Sequence, residues 1–286
     1  MKSSINDMYK ECTLCARKCN VDRTKGELGF CEATTEVVVA SYMVHRFEEP
    51  PISGKIGSGT IFFSYCTARC SYCQNYNYSR GEHGKVVTTK RLAEMMLELE
   101  KKGSHNINLV TPTHYIPSIL EALDLAKSEG LNIPIVYNTN GYESETAIDI
   151  LNGYVDIYMP DAKYSNDKLA KKQCGFIDYS KHNIIALKKM YEQVGELQIN
   201  SEGLAKKGLL IRHLVLPGYI DNTKGVLEHI SKELSNKTYI SFMNQYSPIA
   251  QVKGHPTLKR RLNVSEYEDA KADLERLGFI NGWIQD

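Results

Sequence analysis

The chain has no long apolar run. No stretch reaches the ~20 consecutive apolar residues a membrane-spanning helix needs, so none is expected. It has almost no net charge: 35 Lys and Arg stand against 34 Asp and Glu, giving +1. That leaves no strong field to hold a nucleic-acid backbone or an anionic membrane. Arg17, Lys18, Arg23 and Lys25, the basic residues nearest the N-terminal cysteines, are accompanied by no platform of stacked aromatics, which argues further against nucleic acid as a partner. Met1–Lys10 carries basic residues without the apolar core of a secretory signal, and the expected location is the cytoplasm. No fixed-period repeat and no low-complexity segment is present.

What the chain does have is cysteine, unevenly placed. Seven of its eight cysteines fall between Cys12 and Cys73, in two tight groups. A chain of 286 residues with 42% apolar content builds its own core and does not need disulfides to fold. Close spacing without that need reads as metal binding. The first group is Cys12, Cys15, Cys19 and Cys31, spaced C-x2-C-x3-C-x11-C. Four thiolates complete either a tetrahedral zinc site or a fully ligated [4Fe-4S] cluster, and the spacing does not separate the two. Arg17, Lys18, Arg23 and Lys25 are placed to offset negative charge there, and Gly26 and Gly29 to let the loop close. Cys174 stands alone and is assigned no role.

The second group is Cys66, Cys70 and Cys73, spaced C-x3-C-x2-C, directly after the apolar run Thr60–Tyr65. Three thiolates hold three corners of a cuboidal iron–sulfur cluster and leave one iron open. The competing reading is zinc with His83 as fourth ligand, but the triplet lacks the long spacer of paired zinc knuckles. From residue 60 onward β-branched or aromatic runs alternate with segments of helical period. Strands are predicted at 60–65, 107–110, 133–137, 155–159, 209–214 and 239–242. Helices are predicted at 90–102, 117–129, 144–151, 182–194, 223–234 and 264–277, the first capped by Thr89. Six such units make a parallel α/β sheet. Residues 1–46 are expected to form a small cysteine-rich metal-binding segment and residues 47–286 the α/β domain.

The run CTARCSYCQN (66–75) resembles the signature of the radical S-adenosylmethionine (SAM) superfamily, with Tyr72 just before the third cysteine. Other motifs resemble the activating enzymes of glycyl radical enzymes, such as pyruvate formate-lyase activating enzyme, over roughly residues 47–250. Asn138-Thr139-Asn140-Gly141 is similar to that family's Asp-Thr-Asn-Gly turn, and Met159-Pro160-Asp161-Ala162-Lys163 to its Met-x-Asp-x-Lys segment. Leu210–Gly218 is similar to the family strand whose arginine, here Arg212, and second following residue, here Leu214, contact SAM. The resemblance implies an incomplete (β/α)6 TIM-like barrel. It implies a [4Fe-4S] cluster on Cys66, Cys70 and Cys73, and SAM held by Tyr72, Gln74, Thr139, Asp161, Lys163, Arg212 and Leu214. It also implies a monovalent cation near Thr139, Met159 and Asp161, with Asn138 supplying one charge fewer than the family's aspartate. Where the family has Gly-Gly-Glu for the SAM amino group, this chain offers Thr111, Thr113 or His114.

The implied activity is reductive cleavage of SAM to methionine and a 5′-deoxyadenosyl radical that abstracts hydrogen. The electron would come from a reductant such as flavodoxin or ferredoxin. The target is expected to be a glycyl radical enzyme or another protein; the alternatives are a small molecule or peptide, or a non-enzymatic iron–sulfur electron carrier. A group of activating-enzyme-like proteins is similar in joining a four-cysteine lead-in to this core.

Overall fold

A computed structural model describes residues 5–285; the reading of Met1–Lys10 therefore lies partly outside the described residues. Ten strands form one sheet: β1 (Val37–His45), β2 (Ser58–Phe63), β3 (Lys85–Val87), β4 (Ile107–Val110), β5 (Ile135–Thr139), β6 (Ile157–Pro160), β7 (Gln198–Ile199), β8 (Ala205–Leu214), β9 (Tyr239–Met243) and β10 (Gly282–Ile284). The helices are α1 (Pro50–Ser53), α2 (Tyr76–Ser79), α3 (Thr89–Lys101), α4 (Ile116–Ser128), α5 (Glu145–Ile150), α6 (Asp167–Cys174), α7 (Tyr179–Val194), α8 (Ile220–Glu233) and α9 (Val264–Arg276). The sheet order is β10-β9-β8-β6-β5-β4-β2-β1-β3, with β7 paired to β8. From β2 to β10 along that path every pairing is parallel; β1 and β3 extend the sheet antiparallel. The sheet ends at β3 and β10 and does not close, so the barrel is partial.

All six predicted strands are present, adjacent and parallel. Their alternation sorts the side chains. Ile107, Leu109, Tyr137, Tyr158, Leu209, Ile211, Ile240 and Phe242 pack under the helices in two large apolar clusters. Alternate residues face the concave side, where Val136, Ile157, Met159 and Leu210 meet Ile52 of α1. The same alternation turns Val110, Asn138, Arg212, Leu214 and Met243 toward one concave cleft.

Helix ends follow local chemistry. Thr88, not Thr89, caps α3, its hydroxyl accepting from Arg91 N at 3.1 Å. Pro117 lies in the first turn of α4 and Gly130 takes φ +106° after it. The strand predicted from Ile133 starts at Ile135 because Pro134 has no N–H to give the ladder, although its carbonyl accepts from Ile107 N at 2.9 Å. The structure adds strands β1, β3, β7 and β10, the single-turn helices α1 and α2, and helix α6, which the periodicity did not predict. β1 lies within residues 1–46 yet pairs along its length with β2. Among the described residues no helix is long and apolar enough to cross a membrane.

Candidate active site at the carboxyl edge of the sheet

The loop after β2 carries Cys66, Cys70 and Cys73. Its backbone is pinned to the end of α6: Arg69 N donates to Cys174 O (2.9 Å) and Ser71 N to Gln173 O (2.8 Å). Asn140 holds the loop from the β5 side, its Nδ2 donating to Thr67 Oγ1 at 2.8 Å and lying 3.7 Å from Cys66 Sγ. Burial pushes the Cys66 thiol up to about 12 and raises Cys73 as well. Protonated thiols in this setting give up their protons only to a cation that binds sulfur, so metal uptake here releases protons.

Two turns face this loop, after β5 and after β6. Gly141 is at φ +72°, and a Cβ there would collide with Asp161 O and Asn183 Nδ2. Tyr179 and Asn183 of α7 tie the turns together: Tyr179 Oη lies 2.8 Å from Asn140 O and 3.0 Å from Asp161 O, and Asn183 Nδ2 is 3.0 Å from both Gly141 O and Asp161 O. Asp161 thereby reaches Lys163 Nζ at 2.7 Å and Arg212 Nη2 at 2.9 Å. Burial works against its charge, but Arg212 and Lys163 overcome that and hold the Asp161 carboxyl below its ordinary range. Burial likewise opposes the charge of Lys163, and Asp161 restores it.

Arg212 continues across the barrel. Its Nη2 donates to Asn138 Oδ1 at 2.7 Å, and its far side faces Glu48 and Glu49, each at 3.8 Å. Burial raises Glu48 to about 7, Arg212 opposing and Glu49 adding to the rise. The sequence reading overlooked this carboxylate pair; its signal was two acids set directly before Pro50-Pro51, where a charged pair enters an apolar segment.

All ten residues predicted for cluster and SAM, namely Cys66, Cys70, Cys73, Tyr72, Gln74, Thr139, Asp161, Lys163, Arg212 and Leu214, line one cleft of about 230 Å³. Asn140, Met243, Gln245 and Tyr246 are among the other residues that line it, Tyr246 packing edge-on to Tyr72 with ring centroids 6.0 Å apart. Met159 is buried with the concave-side core. Of the three substitutes for Gly-Gly-Glu, only Thr111 lines the cleft, at φ +59°. Thr113 donates to Glu143 Oε1 (2.8 Å), and His114 Nε2 bonds Ser64 O (2.8 Å). A larger hollow of about 930 Å³ lies between β1, β3 and α3, lined by His83, Lys85 and Arg91 among others; it contains no cysteine.

The donor set fits a cluster by its chemistry: three sulfurs from one eight-residue loop all edge the same cleft. His83 is instead engaged with Asn77 of α2 (3.4 Å) and is absent from the cleft lining. Among the described residues no three His, Cys, Asp or Glu side chains are already closed to metal-bonding geometry.

Cys12, Cys15, Cys19 and Cys31 share one loop-rich segment, in which Lys18, Asn20 and Glu32 adopt positive φ. Burial raises the Cys15 and Cys31 thiols, and each is further raised by other cysteines of the set. The segment is strapped to the β5 turn: Ala16 N donates to Tyr142 O at 3.2 Å and Cys15 pairs by its backbone with Glu143. The basic residues expected to offset a metal centre are largely committed elsewhere. Arg17 lies over the Phe30 ring at 3.6 Å and donates to Gly175 O (2.8 Å), and Lys25 pairs with Asp22 (3.1 Å); Arg23, buried, is the exception, its charge opposing the rise of the Cys31 thiol.

Glu143 lies beneath the β5 turn, accepting from Thr139, Thr113 and Tyr137. Burial raises it to about 7, those three donors limiting the rise. Its folded value is above the ordinary 4.5, so the native state holds a proton between those two values that the unfolded chain has lost. Stability from this group is therefore full below pH 4.5 and falls as pH rises through 7, by roughly 3 kcal/mol in all. Glu143→Gln removes that dependence. Urea unfolding at pH 5 and pH 8 is expected to show the variant gaining about that much on wild type at the higher pH; parallel curves would show that Glu143 does not titrate with folding.

Residues 60–226 match the Radical SAM superfamily. The chain is 31% identical over 277 residues to an uncharacterised protein of Methanocaldococcus jannaschii, covering 92% of this chain and 74% of that one. Among solved structures it is similar to SuiB of Streptococcus suis bound to precursor peptide SuiA (TM-score 0.54, 16% identity, 78% of this chain and 47% of that one). It is also similar to methylornithine synthase (0.53, 19%, 79% and 63%) and to anSMEcpe with bound AdoMet (0.51, 12%, 83% and 62%). The chain thus spans less than two thirds of those solved chains, and at such identities the likeness is one of fold. With its family match covering more than half its length, its partial barrel and its cysteine loop at the carboxyl edge of the sheet, this chain belongs to the radical SAM superfamily.

Proposed function

We propose that the chain binds a site-differentiated [4Fe-4S] cluster through Cys66, Cys70 and Cys73 and abstracts hydrogen from a substrate brought to the open side of the barrel. The observation that carries this is the convergence of all ten predicted residues on one cleft. Bound there and reduced, such a cluster would supply the electron for cleaving SAM to methionine and a 5′-deoxyadenosyl radical. Lys163 and Arg212, both oriented by Asp161, would offer positive charge to the SAM carboxylate, and Tyr72, Leu214, Gln74 and Thr139 would hold its adenosyl part. Tyr246 and Met243 keep water from the reacting carbon. Asn138 and Asp161 spend their oxygens on Arg212 and Lys163, which gives them a positioning duty in place of the cation.

For the target we favour a glycine of a partner protein, on the motif resemblance, with flavodoxin or ferredoxin as electron donor. The unclosed sheet gives a protein loop a way in. Cys12, Cys15, Cys19 and Cys31 are proposed to hold a second centre, zinc or [4Fe-4S], that braces the β5 turn. Anaerobic reconstitution followed by metal analysis and a 5′-deoxyadenosine assay tests this. Wild type should form 5′-deoxyadenosine and Cys70→Ala should fall to background. About eight irons per chain would mean two clusters, and about four irons with one zinc a zinc lead-in. A fully loaded wild type that neither binds nor cleaves SAM would leave an electron carrier. A glycine-centred radical on a partner would establish the target; a modified metabolite or peptide without one would replace it.

A further inference from the structure

Cys174 lies outside both cysteine groups of the sequence, yet the fold delivers it to the cluster loop. It is the last residue of α6, and Gly175 at φ +72° turns the chain immediately after it. The two backbone bonds from Arg69 and Ser71 fasten this end of α6 alongside Cys70. Cys174 is fully buried, and its Sγ is packed directly against Cys70 Sγ, placed to donate to it. Behind it, Tyr164 Oη is 3.2 Å from Cys174 Sγ, and Tyr72 Oη is 2.5 Å from Tyr164 Oη.

We propose that Cys174 is a positioning residue for the cluster, donating its S–H to the Cys70 sulfur and raising the cluster's reduction potential. This rests on the reading of Cys70 as an iron ligand. A ligating Cys70 carries no proton, so Cys174 must be the donor of that pair. Its own sulfur then accepts from Tyr164, which accepts from Tyr72. The proton order along the chain Tyr72, Tyr164, Cys174, Cys70 is therefore set from its far end. Hydrogen bonds to ligand sulfurs draw electron density from the cluster and favour its more negative, reduced form. Tyr72, Tyr164 and Cys174 are all buried, so water does not compete for these bonds. The chain also joins the SAM cleft, which Tyr72 lines, to the cluster ligand.

The test is an electron-paramagnetic-resonance-monitored redox titration of reconstituted wild type, Cys174→Ala, Cys174→Ser and Tyr164→Phe, each after iron and sulfide analysis. Cys174→Ala should load iron like wild type and show a more negative potential. Cys174→Ser keeps a donor and should move the potential back toward wild type, and Tyr164→Phe should shift it the same way as Cys174→Ala by less. A fully loaded Cys174→Ala at the wild-type potential overturns the proposal and leaves Cys174 a packing residue. If Cys174→Ala takes up no iron, Tyr164→Phe decides: a negative shift supports the donor chain, and no shift overturns it. Failure of wild type itself to take up a cluster would instead strike the underlying reading of Cys70.

Discussion

Asp161→Asn is expected to lower the stability of the cluster-free protein by about 3–5 kcal/mol and to abolish SAM cleavage. The residue is the one carboxylate in direct contact with both Lys163 (2.7 Å) and Arg212 (2.9 Å), and both cations are largely buried. Removing its charge leaves two cations in a site that water reaches poorly. Arg212 retains Asn138 Oδ1 at 2.7 Å and the more distant Glu48 and Glu49, so Lys163 takes the larger share of the loss. Its folded pKa should then drop below the ordinary value. A lysine lowered on folding binds fewer protons native than unfolded, so the variant's stability relative to wild type should rise with pH, the Glu143 and Glu48 contributions being common to both. Urea unfolding from pH 6 to 9 reads this directly. The second change Lys163→Met, made on Asp161→Asn, should recover part of the stability but none of the activity, since it removes together the stranded charge and a residue proposed to hold SAM. A variant as stable as wild type, with the same pH profile, would show that the triad is solvated and contributes little.

The concave cleft was legible because it is built from strand ends, where side-chain direction follows from period two. Once 138, 212 and 214 are placed on strands of a parallel sheet, their facing is settled, and the turns that follow β5 and β6 must lie at the same edge. The Thr113–Tyr115 turn carries no such rule. It is a short 3-10 helix, and it sends Thr113 to Glu143 and His114 to Ser64 O, out of the cleft. β1 was hidden by its company: a run rich in valine, Val37–Val39, sits within a cysteine-rich stretch, and its antiparallel pairing with β2 breaks the βα alternation. Helix α6 did advertise itself, with Asn166 accepting from Leu169 N at 3.0 Å as cap and Gly175 as stop. Passing over it left Cys174 without a place. No periodicity reports that its sulfur meets Cys70, because that contact joins residues 104 positions apart through tertiary packing.

Arg23→Ala is expected to cost about 3–5 kcal/mol, because it removes a buried cation whose hydrogen bonds to carbonyls are worth roughly 1.5–3 kcal/mol each when intact, with water filling part of the gap. Arg23 is 2% exposed. Its guanidinium donates to Ala33 O (3.1 Å), to His114 O (2.6 Å) and to Thr34 O, and lies over the Tyr9 ring at 4.5 Å. Tyr9 in turn meets Ser118 Oγ of α4 at 3.0 Å. The side chain therefore clasps the cysteine-rich segment on both sides of Cys31 and fastens it to the loop between β4 and α4. Lysine cannot replace it, since three carbonyls in different directions suit a planar fork and not a point charge; Arg23→Lys should recover less than half the loss. The distribution of the damage is informative. If the segment is a brace for the barrel edge, amide hydrogen exchange should speed up both in residues 7–36 and in the β5 turn, which Cys15 and Ala16 hold by backbone contacts. If exchange rises in residues 7–36 alone while the turn and the barrel strands stay protected, the segment is an independent appendage that does not support the cleft.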